Sequence, residues 1–174
     1  MGPPLHESFQ RFCGFTEEEA LQKLDVFREY YVATGIYENS VYPGIVPTLK
    51  KLRDAGLRLA VATSKPDLAA EWVLEHFNLS QYFEVLSAAS MDNSLCRKAD
   101  VIARALEKME IQDKSTCLMV GDREYDIKGA AECGLDSMGV LYGYGDREEL
   151  TKAGALILVE SPEEIAEYIL RLHT

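Results

Sequence analysis

Between residues 5 and 37 apolar positions fall at helical spacing. Leu21, Leu24, Phe27, Tyr31 and Val32 recur at intervals suited to one helix face, behind Thr16-Glu17-Glu18-Glu19, a capping box. The pattern predicts helix throughout 5–37. Pro43-Gly44 interrupts it and marks a boundary between a small helical unit, residues 1–41, and a second unit, residues 42–174.

Beyond the boundary short apolar runs alternate with amphipathic stretches. The expected order is helix 45–55 ended by Gly56, strand Leu57–Ala62, helix 67–77, strand Phe83–Ala88 and helix 98–109. Strand Thr116–Val120, helix 124–133 closed by Gly134, and strand Asp136–Tyr142 come next. A glycine-rich turn, a short strand near Ala155–Val159 and helix 161–172 complete it. Short strands separated by helices make βαβ units, so the fold class is α/β with a parallel sheet. Ligands of such sheets bind beyond the carboxyl ends of the strands, which directs attention to the residues that follow each one.

Composition narrows the function. The chain has 174 residues, 47% hydrophobic and 27% charged. A domain of about 150 residues buries roughly 70% of its unfolded surface, enough for a sizeable core. A formal charge of −11 disfavours nucleic acid and anionic membranes as partners, and an anionic substrate must be met by local cations or a metal. Cys13, Cys96, Cys117 and Cys133 form no C-x-x-C pair and no metal-ligand spacing; Cys117 and Cys133 are expected as buried structural thiols. With no apolar stretch near the roughly 20 residues of a membrane span and no signal-peptide pattern, a cytoplasmic location is expected.

Three strand ends carry candidate chemistry. Asp122 and Asp126 stand four apart on the opening turn of a helix after Gly121; they serve either as helix N-terminal acids or as oxygen ligands for Mg²⁺. Thr63-Ser64, after the first strand, offers hydroxyls beside the N–H groups of a helix start, as a simple cap or as an anion cradle. Lys98 opens helix 98–109 against the helix dipole, so its side chain is solvated or meets an anion there. Strands of one sheet should bring Thr63, Lys98 and Asp122 to one crevice. A hydroxyl, a lysine and a paired-acid metal site are what phosphoryl transfer requires. Tyr30, Tyr31, Tyr37 and Tyr42 are expected in the core, with substrate contact as the other possibility.

On these residues the sequence resembles the haloacid dehalogenase-like phosphatases, in their phosphoglycolate phosphatase-like branch. VATSKP (Val61–Pro66) resembles the family's second motif, RKADVI (Arg97–Ile102) its third and MVGDREYDIKGA (Met119–Ala130) its fourth; GVLYGYG (Gly139–Gly145) matches the run after the last core strand. The resemblance implies a three-layer Rossmann-like core with a small helical cap, to which residues 2–40 correspond. It implies Thr63 and Ser64 as phosphate binders, Thr63 and Lys98 as catalytic groups, Lys98 as the cation that neutralises phosphate and nucleophile, and Asp122 and Asp126 as acids of a Mg²⁺ site. The implied substrate is a small phosphorylated metabolite, phosphoglycolate-like or a nucleotide monophosphate, for a monomer or homodimer. The implied reaction is attack by an aspartate on phosphorus, followed by hydrolysis of the aspartyl-phosphate.

The family's first motif is a strand ending in D-x-D-G-[TV], and its first Asp is the nucleophile. No D-x-D occurs in these 174 residues. The resemblance therefore implies a chain begun downstream, inside the cap, without the sheet's central strand and inactive as it stands. A non-catalytic anion-binding or regulatory protein is the alternative; a carbon–halogen hydrolase is disfavoured because it would leave Asp122 and Asp126 idle. Without the central strand, the strands ending at Ala62 and Val120 are expected to close up and pair directly in an isolated folded chain; a segment of a second copy filling the slot, or a native protein that has the missing strand, are the alternatives.

Overall fold

The opening helical stretch is two helices. α1 (Leu5–Cys13) stops at Gly14, whose φ of 71° lies in the left-handed region that a residue without Cβ adopts freely. α2 (Glu17–Ala33) starts on the capping box: Thr16 Oγ1 accepts the Glu19 N–H at 3.3 Å, and the Glu19 carboxylate accepts the Thr16 N–H at 2.9 Å. The expectation of unbroken helix over 5–37 is thus corrected, because a left-handed glycine and a competing cap outweigh the apolar periodicity. The computed structural model describes residues 5–35, 38–90 and 97–172. It divides into two units, Met1–Ser40 and Val41–Thr174. In the first, Phe27 stacks on Tyr31 with ring centroids 5.6 Å apart, and the Tyr30 hydroxyl donates to Glu38. Tyr37 and Cys96 lie outside the described residues.

The second unit runs α3 (Ile45–Asp54), β1 (Ala60–Pro66), α4 (Asp67–His76), β2 (Val85–Ala89), α5 (Lys98–Lys108), β3 (Leu118–Gly121), α6 (Glu124–Glu132), β4 (Asp136–Val140), α7 (Arg147–Ala153), β5 (Ile157–Val159) and α8 (Pro162–Leu172). All strand pairs are parallel. α7 falls where the sequence pattern suggested only a turn. Its signal is Asp146, whose carboxylate accepts the Glu149 N–H at 2.7 Å and caps the helix. β1 starts at Ala60, three residues later than the apolar run, and continues through Thr63 to a register irregularity before Pro66. Cys117 and Cys133 are only partly buried, which corrects the expectation of core thiols.

The expected closure of the sheet does not occur. Among the described residues β1 pairs only with β2, and β3, β4 and β5 form a separate three-stranded sheet. Helix packing gives the reason. α5 lies on β1 and β2, α6 lies on β3 and β4, and the two helices pack on each other. Packed helix axes stand about 8–10 Å apart, close to two strand spacings of about 4.8 Å. Bringing β1 onto β3 would drive α5 into α6. The other face is bridged by apolar side chains: Leu52 of α3, Leu57 and Leu59 ahead of β1, Leu118 and Val120 of β3, and Ile165 and Ala166 of α8 share one core with Met138, Val140 and Val159.

The interruption has defined edges. Glu84 N–H donates to Leu59 C=O, so in a parallel ladder the alternate residues Ala60 and Ala62 turn their N–H and C=O away from β2. On the other side Leu141 N–H donates to Val159 C=O, which turns Met138 toward β3 and leaves Leu118 and Val120 directed away from β4. The two edges have the form that a strand parallel to both would satisfy.

Candidate functional site

Lys98 is neither solvated nor unpaired. Its ammonium lies 2.7 Å from Asp126 Oδ1 and donates to the Ala62 carbonyl at 3.1 Å; the two side chains are 16% and 8% exposed. The lysine thus ties the free edge of β1 to the start of α6, across the interruption. The anion at the start of α5 is a carboxylate of the protein itself, which offsets the unfavourable placement of a cation at a helix N-terminus.

Asp126 is shared three ways. While Oδ1 meets Lys98, Oδ2 accepts the backbone N–H groups of Asp122 at 3.2 Å and Arg123 at 3.0 Å. Both oxygens are therefore engaged in holding the loop after β3. Asp122 is placed by a different segment: Oδ2 accepts the Tyr144 N–H at 2.9 Å, and its own carbonyl accepts the Gly145 N–H at 2.9 Å. A side chain at Gly143 or Gly145 would collide with Asp122, with its Cβ in the first case and its carbonyl oxygen in the second. The glycine-rich turn is thus what lets the backbone clamp Asp122.

Thr63 occupies the last regular pair of β1, opposite Ala88, and its hydroxyl accepts the Lys65 N–H at 3.1 Å. It does not cap α4, whose N-terminus carries no side-chain cap. Ser64 is exposed beside it.

Sequence reasoning missed two groups here. Glu149 of α7 takes Arg123 at 2.7 Å and the Glu124 N–H at 2.9 Å; this pairing holds the Glu149 carboxyl below its ordinary range and the Arg123 guanidinium above its own. Arg123 is thereby committed to α7. The other is Tyr142, whose ring meets edge-on at 5.1 Å the ring of Tyr42, the tyrosine just before α3 already singled out in the sequence. Burial, followed by the charge of Asp122, pushes the Tyr142 phenol up to about 12.

An ordinary phenol titrates near 10. The stability that Tyr142 contributes is then complete below pH 10 and is lost as pH rises through 12. An alkaline absorbance titration should show a phenol ionising near pH 12, and Tyr142→Phe should abolish that step. Persistence of the step in the variant would assign it to another tyrosine.

Among the described residues no cluster of three His, Cys, Asp or Glu side chains occurs. The donor at Asp122 is a hard carboxylate oxygen with one oxygen on the Tyr144 N–H, and a hard divalent cation suits it in kind. Asp126 fits less directly, since its oxygens already serve Lys98 and two N–H groups. Among the described residues no helix is long and apolar enough to cross a membrane.

The family model of haloacid dehalogenase-like hydrolases matches residues 6–134. The tyrosine-protein kinase PtkA of Mycobacterium tuberculosis is 40% identical over 162 residues, 92% of this chain and 54% of its own length; the chain therefore spans about half of that relative. A phosphoglycolate phosphatase of Vibrio vulnificus is 31% identical over 98% of this chain and 74% of its own length. The crystal structure of a predicted phosphatase from Clostridium acetobutylicum matches with a TM-score of 0.91 at 46% identity, covering 98% of this chain and 78% of that one.

Proposed function

Because the chain belongs to the haloacid dehalogenase-like hydrolase family, we propose that it carries the phosphate-holding and magnesium-holding part of a phosphomonoesterase site. Small phosphorylated metabolites are the substrate class. The observation that carries the reading is the Lys98–Asp126 pair set beside Asp122, at the carboxyl ends of two separate parallel sheets.

Each residue has a distinct task in this reading. Lys98 has three N–H donors; two serve Asp126 and Ala62, and the third meets a phosphoryl oxygen. The Thr63 hydroxyl, with Ser64 beside it, donates to another. Asp122 offers a carboxylate oxygen to Mg²⁺, which when bound supplies positive charge against the phosphoryl group. Asp126 acts chiefly through others: it fixes the Lys98 ammonium and the backbone that presents Asp122. The nucleophile the family uses is not among these 174 residues, so this polypeptide binds but does not hydrolyse. The free edges of β1 and β3 are where a strand bearing D-x-D-G-[TV] fits. Residues 1–41 correspond to part of the cap, and a cytoplasmic monomer or homodimer is proposed.

Phosphate and metal binding test the reading without turnover. Calorimetry should show Mg²⁺ binding in the millimolar range, about 4 kcal/mol, because one or two carboxylates leave most of the coordination shell to water. Inorganic phosphate should bind in the presence of Mg²⁺ and lose most of its affinity in Lys98→Ala. Micromolar Mg²⁺ binding, or phosphate binding indifferent to Lys98, would refute the assignment.

A further inference from the structure

We propose that Tyr42, Tyr142 and Tyr144 form a leaving-group subsite beside Asp122, one that favours phosphate monoesters whose leaving group is a planar ring. The inference rests on the phosphomonoesterase reading above.

Two segments distant in sequence supply the rings. Tyr42 comes from the turn before α3, held by its carbonyl accepting the Ile45 N–H at 3.2 Å; Tyr142 and Tyr144 come from the chain leaving β4. Tyr142 is the part-buried base, and the Tyr42 ring rests edge-on against it at 65°. Tyr42 remains 43% exposed and Tyr144 80% exposed. The exposure of Tyr144 is built in: its own N–H is held by Asp122 Oδ2, and the next N–H by the Asp122 carbonyl. The glycines on either side leave no room for a side chain against Asp122, which lets the backbone carrying the ring lie directly on it. An aromatic ring is thereby carried by a residue of the clamp on the metal-site acid while most of it faces water.

Burial cannot account for that placement, since a tyrosine four-fifths in solvent gains little from the hydrophobic effect. Recognition can. A phenol is uncharged at pH 7, so the rings do not repel a phosphate ester. A phosphoryl group held at Lys98 and Asp122 brings the substituent on its ester oxygen within reach of these rings. A planar aromatic substituent stacks on or edges against them, whereas a puckered or short aliphatic one lacks that aromatic pairing.

Two esters of equal charge and nearly equal size separate planarity from bulk. The chain with saturating Mg²⁺ is titrated calorimetrically with phenyl phosphate, cyclohexyl phosphate and inorganic phosphate. Phenyl phosphate should bind about tenfold tighter than cyclohexyl phosphate, the order expected of one aromatic pairing. The ratio should fall to near one in Y42A/Y144A and persist in Tyr144→Phe, which keeps the ring. Equal affinities in the unaltered chain, a ratio that survives in Y42A/Y144A, or a ratio lost in Tyr144→Phe would overturn the subsite. Should inorganic phosphate bind while the ratio is one, the subsite alone falls. Should no phosphate bind, the phosphomonoesterase reading falls and the subsite with it.

Discussion

Asp126→Ala is expected to lower the stability of the second unit by about 3–5 kcal/mol, the cost of removing one partner from a buried ion pair. Lys98 would be left 16% exposed with only the Ala62 carbonyl as acceptor, and the N–H groups of Asp122 and Arg123 would lose theirs. Urea unfolding followed by circular dichroism measures the loss. Asp126→Asn should cost less, since an amide oxygen still accepts the two N–H groups while the charge is gone. A double-mutant cycle with Lys98→Met isolates the pair, and a coupling below about 0.5 kcal/mol would show that water screens it as it screens surface pairs.

That the same carboxylate is both a stability element and part of the candidate site explains how the sequence could be read two ways. Asp122 and Asp126 look equivalent at i and i+4, and the local pattern allowed helix-terminal acids or metal ligands. The structure separates them. Asp126 is spent on N–H groups and a lysine, while Asp122 is held from outside by Tyr144 and Gly145, twenty-odd residues on. No local pattern reveals that partnership, because it depends on β4 lying beside β3. The alternation of strands and helices was legible, since parallel strands buried on both faces leave continuous apolar runs such as Leu118–Val120. The break at Gly14 was not, because a helix period continues formally across it. α7 was overlooked because its seven residues follow a glycine-rich run, and its one firm signal is the Asp146 cap. Closure of the sheet was wrongly expected because strand pairing was weighed without the thickness of α5 and α6, which hold the two sheets apart.

The other large effect concerns turnover. The 174-residue polypeptide should give no hydrolysis of p-nitrophenyl phosphate above background with Mg²⁺, since loss of a nucleophile in other hydrolases costs on the order of a millionfold in kcat. In the proposed site Lys98, Thr63 and Asp122 would position charge, but none of them would replace a carboxylate aimed at phosphorus. The structure offers a specific place to supply one. Ala60 and Ala62 of β1 and Leu118 and Val120 of β3 direct N–H and C=O groups toward each other's sheet with no strand between them among the described residues. A strand inserted there parallel to both would satisfy those groups. Its carboxyl end would deliver D-x-D beside Lys98, which already reaches the Ala62 carbonyl on one rim and Asp126 on the other.

The most direct measurement is kcat/KM for p-nitrophenyl phosphate, with and without Mg²⁺, for a chain carrying a strand that ends in D-x-D-G-[TV] ahead of residue 1. Magnesium-dependent hydrolysis is expected in that chain, none in the 174-residue polypeptide, and a loss of about 10²–10³-fold or more in Lys98→Ala, the effect of removing one transition-state donor. Hydrolysis by the 174-residue polypeptide that disappears in Asp122→Ala, or activity in the extended chain that is indifferent to Lys98 and Asp122, would contradict it.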